Sequence, residues 1–270
     1  MPLIAAIQMT SGPDVSANLR EARALLQQAA ERGAKLAALP ENFSFMGLSD
    51  ADKRRAAEDE GGGPVQDFLA ETAQRLGIWI VGGTVPLRGA ADGRVAAASL
   101  LYDSAGERRA RYDKIHLFDV HVPEREERYR ESAHVAPGSS PVVVETPVGR
   151  LGLSVCYDVR FPELYRRLSA AGAELLSVPS AFTEPTGRAH WEPLLRARAI
   201  ENLCFVVAPA QSGFHANGRE TYGDSMIIDH WGRVLERLPR GRGCITAQID
   251  LERQRRDRDS FPALTHRVLN

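Results

Sequence analysis

Three polar residues stand at or just beyond the ends of apolar segments: Glu41, Lys114 and Cys156. Glu41 follows the apolar residues 36–39, and Cys156 closes the apolar residues 151–155. In a layered α/β fold, side chains at strand ends leave the sheet and enter a crevice. An acid, an ammonium and a thiol that meet there can carry out nucleophilic catalysis. The pattern therefore predicts a cysteine-dependent enzyme.

The setting of Cys156 favours it as the nucleophile. It lies between a predicted buried strand and a helix that begins at Pro162. Such a turn exposes its nucleophile and leaves backbone N–H groups free to receive an oxyanion. The alternative is a packed structural cysteine, the usual state of a free thiol. Ser154 is a rival because residues 152–156 (GLSVC) approach the Gly-x-Ser-x-Gly pattern of α/β-hydrolases, but the last glycine is missing.

The remaining reactive residues have weaker settings. Only three of the 34 basic residues are lysines, so each lysine deserves scrutiny, but Lys114 alone would be a surface charge. Cys204 and Cys244 are predicted to be packed thiols. His116 and His121 have no metal-binding spacing, so we predict no metal site.

Strands and helices alternate along the chain and would position these residues. Apolar runs predict strands at residues 3–9, 36–39, 78–81, 97–102, 142–144, 151–155, 174–179, 204–208, 226–228 and 245–249. Helical periodicity predicts helices at residues 15–29, 64–76, 161–171 and 189–203. This alternation is typical of a layered α/β fold.

Two parts of the chain have the same pattern. Residues 1–42 and 148–182 each read strand, helix, strand and end with an apolar residue and a proline, which predicts an internal pseudo-repeat. Residues 113–140 have no sustained period and are predicted to be irregular and functional. We expect one catalytic domain over residues 1–250 and a charged, aperiodic C-terminal tail over residues 251–270.

The composition excludes several classes of function. The 270 residues carry 34 Lys and Arg against 35 Asp and Glu, which argues against a nucleic-acid binder. The longest apolar stretch, residues 76–87, is shorter than the ~18 residues of a membrane span. No secretory signal is visible, and three cysteines form no disulfide framework. We therefore expect a cytoplasmic enzyme whose partner is a small molecule, with no nucleic acid and no membrane.

Three segments, in this order, resemble the signatures of the nitrilase superfamily of carbon–nitrogen hydrolases: residues 40–43 (PENF), 112–119 (YDKIHLFD) and 155–164 (VCYDVRFPEL). The resemblance spans nearly the whole chain. It implies a four-layer αββα sandwich and a catalytic triad of Glu41, Lys114 and Cys156. Glu131 resembles a second glutamate of the family, which would brace Lys114 or orient the substrate amide. The resemblance also implies a homodimer or larger homo-oligomer and no metal or organic cofactor.

Further segments are similar to the branch that includes deaminated-glutathione amidase and omega-amidase: residues 179–182, 189–192, 195–201, 222–226 and 261–267. This similarity implies hydrolysis of a primary amide of a small carboxylate-bearing substrate, through a thioester on Cys156. Deaminated glutathione is the first expectation for the substrate and α-ketoglutaramate the second. Asp224 stands where histidine is common in this branch, which leaves the substrate assignment open.

The chemistry assigns roles to further residues. In water, proton transfer from a cysteine to a glutamate is uphill by roughly 5–6 kcal/mol. We therefore expect Lys114 and nearby N–H dipoles to lower the pKa of the Cys156 thiol. The Tyr157 N–H is the expected second donor to the oxyanion. Arg160 is predicted to bind a substrate carboxylate, or else to form a structural ion pair, and Phe182 is predicted to be an apolar wall.

Several other functions remain open at this point. Hydrolysis of an N-carbamoyl amino acid or of a nitrile would use the same three residues. A non-catalytic binding protein on the same fold would have no reason to keep Glu41, Lys114 and Cys156 together. An esterase would use Ser154.

Overall fold

The computed structural model describes residues 1–122 and 127–269. These ranges contain five α-helices: α1 (Val15–Glu31), α2 (Pro64–Leu76), α3 (Pro162–Ala170), α4 (Glu184–Asn202) and α5 (Leu251–Ser260). Their strands, in chain order, are β1 (Leu3–Gln8), β2 (Leu36–Ala38), β3 (Trp79–Val81), β4 (Val85–Leu87), β5 (Val95–Tyr102), β6 (Arg108–Asp113), β7 (Asp119–Val122), β8 (Glu127–Arg130), β9 (Val135–Ala136), β10 (Val142–Thr146), β11 (Gly149–Leu153), β12 (Leu175–Ser177), β13 (Phe205–Ala208), β14 (Ser212–Phe214), β15 (Glu220–Tyr222), β16 (Ser225–Ile228), β17 (Val234–Leu238) and β18 (Gly243–Gln248). Within the same ranges, no helix combines the length and the apolar character that crossing a membrane requires.

Two sheets repeat the same central arrangement. The first has the order β18-β1-β2-β3-β5-β4, with β6 and β9 also paired to β5. The second has the order β10-β11-β12-β13-β16-β17. In each sheet three parallel strands, β1-β2-β3 or β11-β12-β13, lie between antiparallel neighbours. The predicted pseudo-repeat is therefore present as two parallel strand–helix–strand units.

The sheets and helices form four layers. Alternate residues of a strand point to opposite faces of its sheet. Ala5 and Ile7 of β1 accordingly pack in one core cluster with residues of α1 and α2. Ile4 and Ala6 belong to a second cluster, together with residues of the other sheet and of α3 and α4. The order of layers is helices, sheet, sheet, helices, which is the predicted αββα sandwich.

Local signals in the sequence begin and end most of the helices. The Asp14 carboxylate caps α1 by accepting the Ala17 N–H at 3.0 Å. Pro64 is the first residue of α2, and Gly77 ends that helix in the left-handed region. Helix α4 begins at Glu184 instead of the predicted residue 189. Proline in a first helical turn loses no hydrogen bond, so Pro185, the second residue of α4, does not delay its start.

Two segments predicted to be aperiodic contain regular structure. Within residues 113–140, β7 and β8 form an antiparallel ribbon, and β9 joins the first sheet beside β5. The C-terminal segment forms α5, which docks on the catalytic domain through Gln254, whose Nε2 donates to the carbonyls of Glu174 at 2.7 Å and Leu203 at 2.8 Å. Because α5 docks through polar groups, it has no apolar stripe. The prediction of an aperiodic segment is therefore wrong for these residues.

Candidate active site

A buried ammonium and two buried carboxylates form the centre of the candidate site. The Lys114 Nζ lies 2.8 Å from Oε1 of Glu41, and 2.8 and 3.1 Å from Oε2 and Oε1 of Glu131. Lys114 is 2 % exposed, Glu41 4 % and Glu131 7 %. A buried ion without a partner is strongly unfavourable, so each charge depends on the others. The fold thus brings together three of the predicted site residues.

The loop after β2 holds Glu41 firmly. The Ala181 N–H donates to Oε2 of Glu41 at 2.9 Å, and the Gln211 Nε2 donates to its backbone carbonyl at 3.0 Å. Gly83 packs directly against this loop with φ +46°, and a Cβ there would lie 2.0 Å from the carbonyl oxygen of Pro40. Only glycine permits this approach. The glutamate is therefore fixed by contacts with distant parts of the chain.

Lys114 and Glu131 are fixed through backbone hydrogen bonds. Lys114 follows β6, and its N–H donates to the Ala97 carbonyl at 3.1 Å while its carbonyl accepts the Gly138 N–H at 2.8 Å. Glu131 begins a 3₁₀ helix, and its Oε2 also accepts the Phe118 N–H at 2.7 Å. The ammonium and its second carboxylate therefore have little freedom to move apart.

Cys156 lies in a tight turn between β11 and α3. Its φ is +49°, a region that residues other than glycine seldom adopt. Its N–H donates to the Pro179 carbonyl at 2.9 Å, and a 3₁₀ helix, Cys156–Arg160, follows. The thiol lies close enough to the Glu41 carboxylate for that charge to raise its pKa. Strained backbone of this kind is concentrated at functional sites, and here it brings a thiol close to a carboxylate.

The thiol is protonated at rest. Burial raises the pKa of Cys156, and the Glu41 carboxylate raises it further. The Lys114 ammonium and the Ala181 N–H lower it without outweighing these effects. Lys114 and a backbone N–H thus contribute in the expected direction, but burial and the Glu41 charge outweigh them, so the net shift of the Cys156 pKa is upward. Proton transfer to Glu41 must accompany attack by the sulfur.

Lys114 and Glu131 stay charged at neutral pH. Burial lowers the pKa of Lys114, but the carboxylates of Glu131 and Glu41 outweigh it, and the result is a pKa well above its usual value. Burial raises the pKa of Glu131, but the charges of Lys114 and Lys53 and a backbone hydrogen bond lower it below its usual value. The pair is thus a permanent source of positive and negative charge beside the thiol.

Two donors are available for an oxyanion. Tyr157 occupies the first turn of the 3₁₀ helix, where backbone N–H groups lack helical partners. None of the hydrogen bonds between the described residues uses the Tyr157 N–H. With the Lys114 ammonium, this N–H can stabilise negative charge that develops on a bound carbonyl oxygen.

One buried carboxylate, Asp158, connects the lysine and cysteine segments. Its Oδ2 accepts the Tyr112 hydroxyl at 2.7 Å and the Val155 N–H at 2.8 Å. Its Oδ1 accepts the His116 N–H at 3.0 Å and lies 2.7 Å from that residue's Nδ1. Tyr112 and His116 flank the lysine, and Val155 precedes the nucleophile. Asp158 thus aligns two segments, a role that no local sequence pattern indicates.

A cavity of about 470 Å³, partly open to solvent, lies over these groups. Its lining residues are Glu41, Asn42, Lys53, Lys114, Phe118, Tyr129, Glu131, Cys156, Tyr157, Ala181, Phe182, Thr183, Thr186 and Arg219. The predicted Tyr157 and Phe182 are among them. The cavity thus combines aromatic side chains, the buried charges and the thiol.

Arg160 and Asp224 lie outside this lining. The Arg160 guanidinium lies 5.8 Å from the ring centroid of Tyr157 and 5.4 Å from that of Phe182. No described carboxylate pairs with Arg160, so the alternative of a structural ion pair is wrong for the described residues, and direct substrate binding stays a prediction. The Asp224 carboxylate binds the Arg237 guanidinium through two hydrogen bonds of 2.5 and 2.7 Å. Asp224 therefore has a structural ion pair and no contact with the cavity.

Sequence reasoning missed two cations that line the cavity, Lys53 and Arg219. The scarcity of lysine was the one signal that pointed toward Lys53. Nothing marked Arg219, which immediately precedes β15 and reaches the cavity only because of the fold. Thr183 and Thr186, at the start of α4, were also missed.

The rival nucleophiles are unsuited to catalysis. The Ser154 hydroxyl is fully buried, donates to the Ser177 carbonyl at 2.7 Å and lies 2.8 Å from the Tyr165 hydroxyl, so the serine hypothesis is wrong. Cys204 and Cys244 are buried, and neither is among the residues that line the cavity. Across the described ranges, no group of three His, Cys, Asp or Glu residues is arranged to hold a metal ion.

Comparison with known proteins gives consistent results. The carbon-nitrogen hydrolase family model matches residues 3–259. A deaminated glutathione amidase from Synechocystis is 46 % identical over 269 residues, 98 % of each chain. The human deaminated glutathione amidase is 41 % identical over 99 % of this chain and 82 % of its own.

Solved structures extend the comparison. The NitFhit protein of C. elegans superposes with a TM-score of 0.91 at 41 % identity, over 99 % of this chain and 65 % of the worm chain. A variant of the Nesterenkonia amidase, which carries acrylamide added to its active-site cysteine, superposes with a TM-score of 0.80 at 28 % identity, over 97 % of this chain and 98 % of its own.

Proposed function

This chain belongs to the carbon–nitrogen hydrolase family and is an amidase, and we propose that it cleaves an amide of a small carboxylate-bearing substrate, deaminated glutathione, through a thioester on Cys156. One observation carries the proposal. The Cys156 thiol, the Glu41 carboxylate and the Lys114 ammonium line one cavity, the carboxylate and the ammonium are ion-paired, and both charges act on the thiol.

In the first half-reaction, Glu41 takes the thiol proton as the Cys156 sulfur attacks the amide carbon. A C–S bond forms, and the oxyanion accepts hydrogen bonds from the Lys114 ammonium and the Tyr157 N–H. Glu41 then passes the proton to the amide nitrogen, the C–N bond breaks, and the amine leaves. Concerted transfer suits this site, because the raised pKa of Cys156 leaves almost no free thiolate at neutral pH.

In the second half-reaction, Glu41 takes a proton from water while the water oxygen attacks the thioester carbon. The same two donors stabilise the second oxyanion. The C–S bond breaks, the Cys156 sulfur regains a proton from Glu41, and the carboxylic acid leaves. Glu131 holds the ammonium in place throughout, at 2.8 Å. No oxidant, metal or organic cofactor takes part in this sequence.

The leaving group distinguishes the candidate substrates. Both amide nitrogens of deaminated glutathione are substituted, so its cleavage releases an amine, and the expectation of a primary amide is wrong for this substrate. The primary amide of α-ketoglutaramate, the substrate of an omega-amidase, releases ammonia. Nitriles and N-carbamoyl amino acids also release ammonia. A substrate screen must therefore measure both the amine product and ammonia.

A substrate screen of wild type and Cys156→Ala tests the proposal. We expect the highest kcat/KM for deaminated glutathione, with α-ketoglutaramate second, and no turnover by Cys156→Ala. Mass spectrometry of rapidly quenched enzyme should find an acyl group on Cys156. A higher kcat/KM for α-ketoglutaramate, a nitrile or an N-carbamoyl amino acid would show that this compound, and not deaminated glutathione, is the preferred substrate. Turnover by Cys156→Ala would refute the thioester.

We propose further that the enzyme forms a homodimer or larger homo-oligomer and works in the cytoplasm. Three large apolar side chains are about half exposed, namely Ile200 at 49 %, Trp231 at 55 % and Phe261 at 53 %. The rings of Trp231 and Phe261 lie 5.7 Å apart, so these two exposed side chains form one apolar patch, which supports self-association. All three cysteines are free thiols, which supports a reducing compartment. Sedimentation equilibrium would measure the assembly.

A further inference from the structure

Arg219 brings a positive charge to the cavity without an acidic partner. Its guanidinium lies over the Tyr129 ring, 5.0 Å from the centroid, and its Nη2 donates to the Ala181 carbonyl at 2.5 Å. The Nε is buried and has no hydrogen-bond acceptor. Among the residues that the structure describes, no carboxylate forms an ion pair with it. No hydrogen bond between described residues uses its Nη1, so the guanidinium has donors available for a ligand in the cavity.

The other cations of the cavity are differently placed. The Lys114 ammonium is held between Glu41 and Glu131. The charge of Lys53 acts on Glu131 and helps to lower the pKa of that carboxyl. A planar guanidinium with unused N–H groups is matched to a carboxylate, which can accept two parallel hydrogen bonds. A buried donor without an acceptor is unfavourable until such a ligand arrives.

We propose that Arg219 binds the carboxylate of the substrate and makes the enzyme select amides that carry an acid group. The inference rests on the amidase function proposed above and adds the residue that determines selectivity. Arg219 touches the same residue, Ala181, whose N–H binds Glu41, so the carboxylate site and the acid–base site share one short segment. Binding at Arg219 would place the substrate across the cavity, with its amide toward Cys156.

Two alternative roles must be separated from this one. Arg219 could merely support Ala181 and, through it, the position of Glu41. A structural role of this kind would affect every substrate equally. Arg160 could instead bind the carboxylate, although its guanidinium lies against aromatic side chains and hydrogen-bonds to Nδ1 of His190 at 3.3 Å.

The experiment compares charged and neutral forms of the same amide. Ammonia release is measured for succinamate and glutaramate and for their methyl esters, with wild type, Arg219→Met, Arg219→Lys and Arg160→Met. We expect Arg219→Met to raise KM for the acids by about ten- to a hundredfold, since hydrogen bonds between charged groups have this strength. We expect kcat/KM for the esters to change less than threefold, and Arg219→Lys to recover part of the loss. Arg233→Met, an exposed arginine, is the unchanged control.

Equal losses for acids and esters would show that Arg219 only supports Ala181, and a loss confined to Arg160→Met would transfer the role to Arg160. A second measurement needs no turnover. The products succinate and glutarate should protect Cys156 from iodoacetamide in wild type but not in Arg219→Met. Protection without turnover of any tested amide, deaminated glutathione included, would reject the proposed function and keep the binding site. Equal protection in both proteins would reject the role of Arg219.

Discussion

The two pseudo-repeat halves share the same arrangement of strands and helix but carry their reactive side chains after different strands. In the first half Ile4 pairs with Leu36, and in the second Leu151 pairs with Leu175. Five residues after each of these positions, the first half has Met9 and Glu41. At the equivalent places the second half has Cys156 and Ser180. Each half thus presents one reactive side chain and one inert one, and the reactive one is on a different strand in each half.

The repeated fold places side chains at equivalent strand ends in both halves. The contacts that could support catalysis, however, join one half to other parts of the chain. Glu41 has its Oε2 bound by the Ala181 N–H of the second half and its Oε1 bound by Lys114. Ser180, at the equivalent place, donates to the nearby Val178 carbonyl at 3.0 Å. The hydrogen bond of Ser180 stabilises only its own turn, whereas Glu41 is held by residues far away in the sequence.

We expect the largest effect on activity from replacing Cys156. Cys156→Ala should reduce kcat by at least about 10⁴-fold, because no other group can form the thioester. Met9→Leu, at the equivalent place in the first half, should keep kcat within threefold, since it conserves volume in a buried site. Steady-state kinetics on both variants decide the matter. Equal losses would mean that the two positions serve only packing.

The second prediction compares Glu41 with Ser180, which occupies the equivalent position in the second half. Glu41→Gln should lower kcat by about 10²–10⁴-fold through loss of general acid–base catalysis, and Ser180→Ala should change it less than threefold. The Glu41 charge helps to raise the pKa of Cys156, so the glutamine variant should have a lower thiol pKa. The pH profile of iodoacetamide alkylation should therefore move to lower pH. A profile that moves to higher pH would contradict the assigned electrostatics.

Removing the Lys114 ammonium should reduce both the activity and the stability of the protein. Lys114→Met should lower kcat by about 10²–10³-fold and destabilise the fold by about 3–5 kcal/mol, because two buried carboxylates lose their partner. Lys35→Met, an exposed lysine, should change neither quantity appreciably. Steady-state kinetics and urea unfolding at neutral pH measure the two effects.

The same variant should reverse the pH dependence of stability. In wild type the lowered pKa of Glu131 contributes stability that is full above its ordinary value of 4.5 and is lost as pH falls below it. Without the ammonium, burial dominates and raises that pKa, so the variant should gain stability as pH falls from 7 toward 5. Urea unfolding across this range measures the slope. A variant that loses stability over the same range would show that the carboxylates have found another partner.

The smallest expected effect concerns the carboxylate that links the lysine and cysteine segments. Asp158→Asn should lower kcat by about tenfold and leave KM nearly constant, because it loosens the alignment of lysine and thiol without touching the substrate. Asp103→Asn, which alters a carboxylate that accepts N–H groups in the β5–β6 turn, is the matched control. A rise in KM without a fall in kcat would place Asp158 in substrate binding instead.

Much of the fold was predictable because its signals are local. Apolar runs and helix-capping residues marked the parallel units, and the spacing of short motifs marked Glu41, Lys114 and Cys156. The net shift of the Cys156 pKa is upward because burial and the Glu41 charge outweigh the ammonium, and short sequence patterns do not report how deeply a side chain is buried. Helix α5 was missed because its docking uses Gln254 rather than an apolar face.

The amino-acid sequence by itself determined the class of chemistry and the order of strands and helices, since both depend on residue types and short-range periodicity. Only the tertiary structure decided which charges compensate one another, that Ser154 is enclosed and that Arg219 reaches the cavity. These properties depend on distances between segments far apart in the chain. Electrostatic energies and access to solvent change over a few ångströms, a scale that sequence spacing does not report.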